Sequence, residues 1–208
     1  MTPMDSVFFD VWSHTYDRAV LQESTYRPVH DALLDRIASL SPTTVLDLGC
    51  GTGQLTRRLI TTFPDAGIIG VDLSSGMLER AVESDECNDA SFALADAQRL
   101  PLSPGSVDVV VCSESFHWYT DQPAALDGLH TLLKPGGRLL IASIATLTGT
   151  GDEIIRRTTS MTGRSVRAVP RRRLRKMLEA AGFDVTYQGR IMRLGPIPWP
   201  VLTDATRI

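Results

Sequence analysis

From Thr43 onward, short apolar runs rich in Val, Ile and Leu alternate with stretches whose apolar residues recur every three or four positions. Uniformly apolar runs suit strands covered on both faces, and the three-to-four spacing suits the helices that cover them. The pattern therefore predicts an α/β domain built around a parallel sheet. The predicted strands are Thr44 to Leu48, Gly67 to Asp72, Ser91 to Ala95, Ser106 to Ser113 and Gly137 to Ser143. Between them, helices are predicted over Gln54 to Thr62, Ser75 to Ser84 and Pro123 to Leu133, the last stopped by Lys134-Pro135-Gly136-Gly137. Upstream, Val7 to Leu40 reads as two helices, with Tyr26 to Leu40 amphipathic through Val29, Leu33, Leu34, Ile37 and Leu40. Downstream, a basic helix over Arg171 to Ala181 ends at Gly182 and leads to strands over Phe183 to Arg190 and Val201 to Ile208. Pro196, Pro198 and Pro200 predict an extended connection between those two strands. Ala145 to Pro170, weakly patterned and carrying Gly149, Gly151 and Gly163, is the expected substrate-facing segment.

The 208 residues, 43% hydrophobic and 22% charged, fit one soluble domain with a core large enough to need neither disulfides nor a structural metal. Cys50, Cys87 and Cys112 are odd in number and form no C-x-x-C pair, which argues against a secreted disulfide framework and for a reducing cytoplasm. Asp5 and Asp10 interrupt the N-terminal apolar residues, so no signal peptide is expected, and no apolar run approaches the roughly 18 residues of a membrane span. The net charge of -3 conceals a division: 21 acidic and 9 basic side chains through Glu153, against 3 and 12 from Ile154 on. Nine of those bases lie between Arg156 and Lys176 with no acid among them. Such a stretch is either a solvated helix face paired with the acidic part of the domain or a dock for an anion.

Val45-Leu46-Asp47-Leu48-Gly49-Cys50-Gly51-Thr52-Gly53 runs from a buried strand through a glycine loop into a helix. Glycines let the chain turn sharply and let a ligand approach the backbone, and the helix start offers unpaired N–H groups, so a ligand site is expected here. The spacing is not that of a dinucleotide loop, since Gln54 stands where G-x-G-x-x-G would place its third glycine, and no Gly-Lys-Ser/Thr follows for a P-loop.

Asp47-x-Gly49-x-Gly51-x-Gly53 resembles the first motif of the class I S-adenosylmethionine-dependent methyltransferases. Three further stretches match that family in order: Asp72 closing the second strand, Asp96-Ala97 after the third, and Leu133-Lys134-Pro135-Gly136-Gly137 entering the fifth. The resemblance implies a doubly wound, Rossmann-like, mostly parallel seven-stranded sheet with helices on both faces and the last strand antiparallel. It implies a single domain, 1–208, with lid helices in 1–40, a cofactor-binding core in 43–143, a substrate-facing segment in 144–170 and a closing helix and strand pair in 171–208. S-adenosylmethionine is the implied cofactor. Asp72 would accept hydrogen bonds from both ribose hydroxyls, Asp96 and the Ala97 N–H would meet the adenine, and Leu73 and Met77 would cover its faces. Asp47, Gly49, Cys50, Gly51 and Gly53 would form and orient the loop near the methionine end, with Ser113 and Tyr16 completing the cofactor contacts.

After the fourth strand comes Cys112-Ser113-Glu114-Ser115-Phe116-His117-Trp118-Tyr119, which lacks the Asn/Asp-Pro-Pro-Tyr/Phe of amino-methylating DNA and glutamine enzymes. His117-Trp118 resembles the small-molecule branch that includes ubiquinone/menaquinone-type and trans-aconitate methyltransferases. The resemblance implies a small acceptor, which the basic stretch makes anionic, with His117 as the candidate catalytic base or as a structural histidine at the strand end. Two alternatives stand beside it: an RNA or protein methyltransferase docking through 156–176, and a non-catalytic cofactor-binding module. His14, His30, His117 and His130 have no paired ligand spacing, so no metal is expected.

Overall fold

Side chains along the central strands alternate between two buried layers. Val45, Val109, Val111, Leu140 and Ala142 enter one core, while Leu46, Leu48, Val110, Cys112, Leu139 and Ile141 enter the other. A strand lined on both sides in this way has to be apolar throughout, which is the pattern read from the sequence. The computed structural model describes residues 26–144, 166–191 and 200–208. Tyr16, the first predicted helix, the greater part of the proposed substrate-facing segment and most of the proline connection lie outside the described residues.

The described chain runs α1 (Arg27–Ile37), β1 (Thr44–Leu48), α2 (Gln54–Thr62), β2 (Gly67–Asp72), α3 (Ser75–Val82), β3 (Ala90–Leu94), β4 (Val107–Ser113), α4 (Gln122–Leu132), β5 (Leu133–Ile144), α5 (Arg171–Ala180), β6 (Phe183–Arg190) and β7 (Pro200–Arg207). Short 3-10 turns at Asp85–Cys87 and Phe116–Trp118 follow α3 and β4. The seven strands form one sheet in the order β3-β2-β1-β4-β5-β7-β6. β1 pairs parallel with β2 and β4, β2 with β3 and β4 with β5, while β7 runs antiparallel to both β5 and β6. The fold class read from the sequence and the resemblance is the one observed.

Leu33 and Ile37 of α1 and Leu55 and Leu59 of α2 seal one face, and Leu126 and Leu129 of α4 with Leu174 and Leu178 of α5 seal the other. Local chemistry sets the helix starts: Ser74 Oγ accepts the Met77 N–H at the head of α3 (3.1 Å), and Asp121 accepts the Ala124 N–H at the head of α4 (3.0 Å). Element bounds differ from expectation at a few ends. α1 and α3 stop three and two residues early, β3 lies one residue earlier, and β5 begins at Leu133 with no break after α4. The Lys134-Pro135-Gly136-Gly137 stretch is thus an irregularity inside β5: Val107 of β4 pairs with Leu133, and the ladder resumes at Val109 with Arg138.

The sheet is locked to α1 by a buried carboxylate that the apolar pattern does not reveal. Asp204 of β7 is fully buried and accepts from Arg36 Nε of α1 (3.0 Å) and from Arg138 Nε of β5 (3.0 Å), and Arg138 Nη2 bonds it as well. Among the described residues no helix is long and apolar enough to cross a membrane.

Candidate functional site

The strand order reverses between β1 and β4, and in sheets of this type the crevice at the carboxyl ends of the strands beside that reversal is where ligands bind. A cavity of about 300 Å³ opens there. Its walls come from the ends of β1 (Leu48, Gly49, Gly51), β2 (Val71, Asp72, Leu73), β3 (Ala95, Asp96, Ala97) and β4 (Ser113, Glu114, Ser115). Met77, Tyr26, His117, Trp118, Tyr119 and Ile144 complete it.

The glycine loop is shaped by what lies beneath it. Gly49 has φ 75°, and a Cβ there would sit 2.4 Å from the Cβ and Oγ of Ser115, so both conformation and space demand glycine. Ser115 Oγ donates to the Leu48 carbonyl (2.9 Å) and contacts Tyr119 OH (3.1 Å) and Cys112 Sγ (3.0 Å), which bolts the turn after β4 to the end of β1. Asp72 Oδ2 accepts the Gly51 N–H and Oδ1 accepts the Ser74 N–H, each at 2.9 Å. One carboxylate thereby fixes the loop and the head of α3 at the cavity wall. Asp96 Oδ1 accepts the Gln98 backbone N–H (3.0 Å) and its amide (3.1 Å).

Of the residues picked out in the sequence, Gly49, Gly51, Asp72, Leu73, Met77, Asp96, Ala97, Ser113 and His117 line the cavity. Asp47, Cys50 and Gly53 do not: they hold the loop from behind. Asp47 is 1% exposed and accepts from Thr56 Oγ1 of α2 (2.7 Å), and burial lifts its carboxyl to about 7. Cys50 is buried under the loop, and Gly53, at φ 79°, starts α2 against Cys87 and Ala81. Tyr16 lies outside the described residues.

His117 is 3% exposed, its Nδ1 meets Ser143 Oγ of β5 at 3.1 Å, and burial lowers its pKa to about 4, so the imidazole is neutral at physiological pH. Its carbonyl accepts the Arg167 N–H at 2.7 Å, which ties the basic segment to the cavity wall. Farther along that segment the arginines turn to β6: Arg171 donates to the Gln188 carbonyl (3.4 Å) and Arg175 to that of Val185 (3.2 Å).

Glu114 was not foreseen as a site residue. It has φ 53°, its Oε1 is closed to solvent with no hydrogen-bond partner among the described residues, and burial pushes its carboxyl up to about 8. Its place between Ser113 and Ser115 could have flagged it, but its isolation depends on distant strands. Among the described residues no three His, Cys, Asp or Glu side chains converge as a metal cluster.

A crevice at the strand reversal, lined by a glycine loop and successive strand-end acids, is the ligand site expected of a doubly wound α/β domain. Residues 45–137 match the family model described as a methyltransferase domain. A malonyl-[acyl-carrier protein] O-methyltransferase of Hahella chejuensis is 34% identical over 140 residues, covering 67% of this chain and 49% of that one. The corresponding protein of Dechloromonas aromatica is 36% identical over 140 residues, 67% of this chain and 50% of its own length. The chain spans about half the length of these curated relatives. The N-methyltransferase NodS of Bradyrhizobium japonicum, solved with S-adenosyl-L-homocysteine, superposes with a TM-score of 0.76 over 97% of each chain at 17% identity, a likeness of fold.

Proposed function

We propose that this protein is an S-adenosylmethionine-dependent methyltransferase acting on a small-molecule acceptor. The observation that carries the reading is the Asp72 carboxylate, set in the cavity wall beside the Gly49–Gly51 loop by the Gly51 and Ser74 backbone N–H groups. The cavity suits the cofactor: Leu73, Met77 and Ala97 offer apolar surface for a base, Asp96 stands beside them, and Gly51, where a Cβ would meet only Met77 Sδ at 4.0 Å, leaves room for a chain passing over the backbone. When bound, the cofactor supplies an electrophilic methyl group. The protein's part is then to hold and align the acceptor and exclude water, an effect of up to roughly 7–11 kcal/mol in such displacements.

For His117 we propose a hydrogen-bonding contact to the acceptor from a neutral imidazole that Ser143 orients. The names of the curated relatives, O-methyltransferases of a malonyl group, favour an anionic carboxyl acceptor. Arg167, joined to the His117 carbonyl, brings the basic segment to the cavity wall and supports the same reading. A carboxylate needs no base before it attacks. The three cysteines Cys50, Cys87 and Cys112 are free and buried, and we take the protein to work in a reducing compartment.

Titration calorimetry tests the reading. Saturable binding of S-adenosylmethionine or S-adenosylhomocysteine, with none of NAD, is expected; binding of NAD alone would overturn it. Methyl-labelled cofactor incubated with a metabolite extract then identifies the acceptor by its label.

A further inference from the structure

Glu114 directly follows β4, in the cavity wall, and is held there from two sides. Its N–H donates to the Ala142 carbonyl of β5 (2.8 Å), and its neighbour Ser115 is bonded to the end of β1. The left-handed backbone at φ 53° costs a residue with a side chain on the order of 1 kcal/mol or more. Burying a carboxyl oxygen with no partner among the described residues costs more. Folding gains nothing from either, and such costs collect where a ligand completes the environment.

Among the described residues, the titratable groups lining the cavity beside Glu114 are Asp72 at the end of β2, Asp96 after β3, His117 and Tyr119 in the turn after β4, and Tyr26 before α1. None of them is a cation at neutral pH, since burial keeps the His117 imidazole uncharged. Burial alone raises the Glu114 carboxyl to about 8, so it carries its proton at pH 7. A positive charge entering the same water-poor space reverses that preference, because an opposite charge in low dielectric favours the ionised acid. S-adenosylmethionine and S-adenosylhomocysteine differ by a methyl group and by the positive charge on sulfur.

We propose that Glu114 senses the sulfonium: its carboxyl O–H releases a proton to solvent when the cationic cofactor enters, and regains one when only the neutral thioether remains. The residue thereby sets the preference for cofactor over spent product by charge. This rests on the cofactor reading above.

The test is calorimetry of both sulfur nucleosides at pH 7 in three buffers of different ionisation enthalpy. About one proton released per S-adenosylmethionine bound, and markedly less for S-adenosylhomocysteine, is expected. In Glu114→Gln the difference in proton release vanishes and the preference for the sulfonium falls about tenfold, the equivalent of one pKa unit, while S-adenosylhomocysteine still binds and reports an intact fold. Glu114→Ala serves if the glutamine variant does not fold, and the wild-type buffer series stands without either. Equal proton release with the two nucleosides, or a difference that persists in the variant, overturns the proposal. Failure of both nucleosides to bind wild-type protein overturns the cofactor reading instead.

Discussion

Gly49 concentrates the demands on this site in one residue, because its backbone is left-handed and its missing Cβ makes room for Ser115. Gly49→Ala combines strain with a clash against a side chain that is itself tied to β1, and should cost about 2–4 kcal/mol of stability and abolish nucleoside binding. Thermal melting and titration with S-adenosylhomocysteine check both effects. Asp72→Ala is expected to act differently: it frees the Gly51 and Ser74 N–H groups to water and weakens nucleoside affinity by about 1.5–3 kcal/mol, the usual worth of hydrogen bonds to a charged group, in a chain that still folds. An unchanged affinity would remove Asp72 from the site. Both residues were legible because their chemistry is local, a turn or an acid at a strand end. Glu114 was not, since its isolation depends on which strands stand beside it. Asp47 was legible as important, yet its partner Thr56 turns it away from the cavity and into the support of the loop.

At the scale of elements, periodicity located every described strand and helix but not the rules that end them. β3 begins one residue early because its register follows β2, with Asp72 opposite Leu94 and the Ala95 N–H closing on the Asp72 carbonyl (2.9 Å). Pro135 and Gly136 look like a boundary in sequence, but a proline and a left-handed glycine are tolerated in β5 where the β4 ladder skips. The fastening of α1 to the sheet was invisible for a different reason. Asp204, among apolar neighbours in β7, becomes meaningful only once Arg36 and Arg138, far apart in the chain, converge on it. Asp204→Ala leaves two guanidinium groups facing each other without the anion, and a loss of about 2–4 kcal/mol is expected, less than for a sealed pair because both arginines reach water. A urea midpoint that falls without change in slope would measure it; an unchanged midpoint would show the clamp to be dispensable.

Over the whole molecule, buried ionisable groups set opposing pH dependences. His30 and His117 are both lowered to about 4, mainly by burial, so the unfolded chain binds their protons first and stability is lost as pH falls from about 6.5 toward 4. Asp47 and Glu114 are raised by burial to about 7 and about 8, so their contribution has the other sign: stability is lost as pH rises from about 4 through those values. The two pairs offset one another between about pH 4 and 6.5, and above that range only the loss from the acids remains. Asp108 governs the acid limb. Its partial burial raises its carboxyl, but hydrogen bonds from Lys134, Thr43 and Thr44 outweigh this and bring it down to about 2, so its stabilisation disappears between about pH 4 and 2. The ligand-free protein should therefore be most stable in mildly acidic solution and soften by pH 8. Glu114→Gln removes the largest source of that softening while keeping the shape of the side chain. It should raise stability at pH 8 by roughly 1–3 kcal/mol and by under about 1 kcal/mol at pH 5, where the wild-type carboxyl is protonated in the fold and the pH lies only about half a unit above the ordinary glutamate value of 4.5. Melting curves of the two proteins across pH 4 to 9 decide the matter: curves that run parallel would mean that Glu114 is already ionised in the empty cavity, and would remove the energetic basis for its response to a sulfonium.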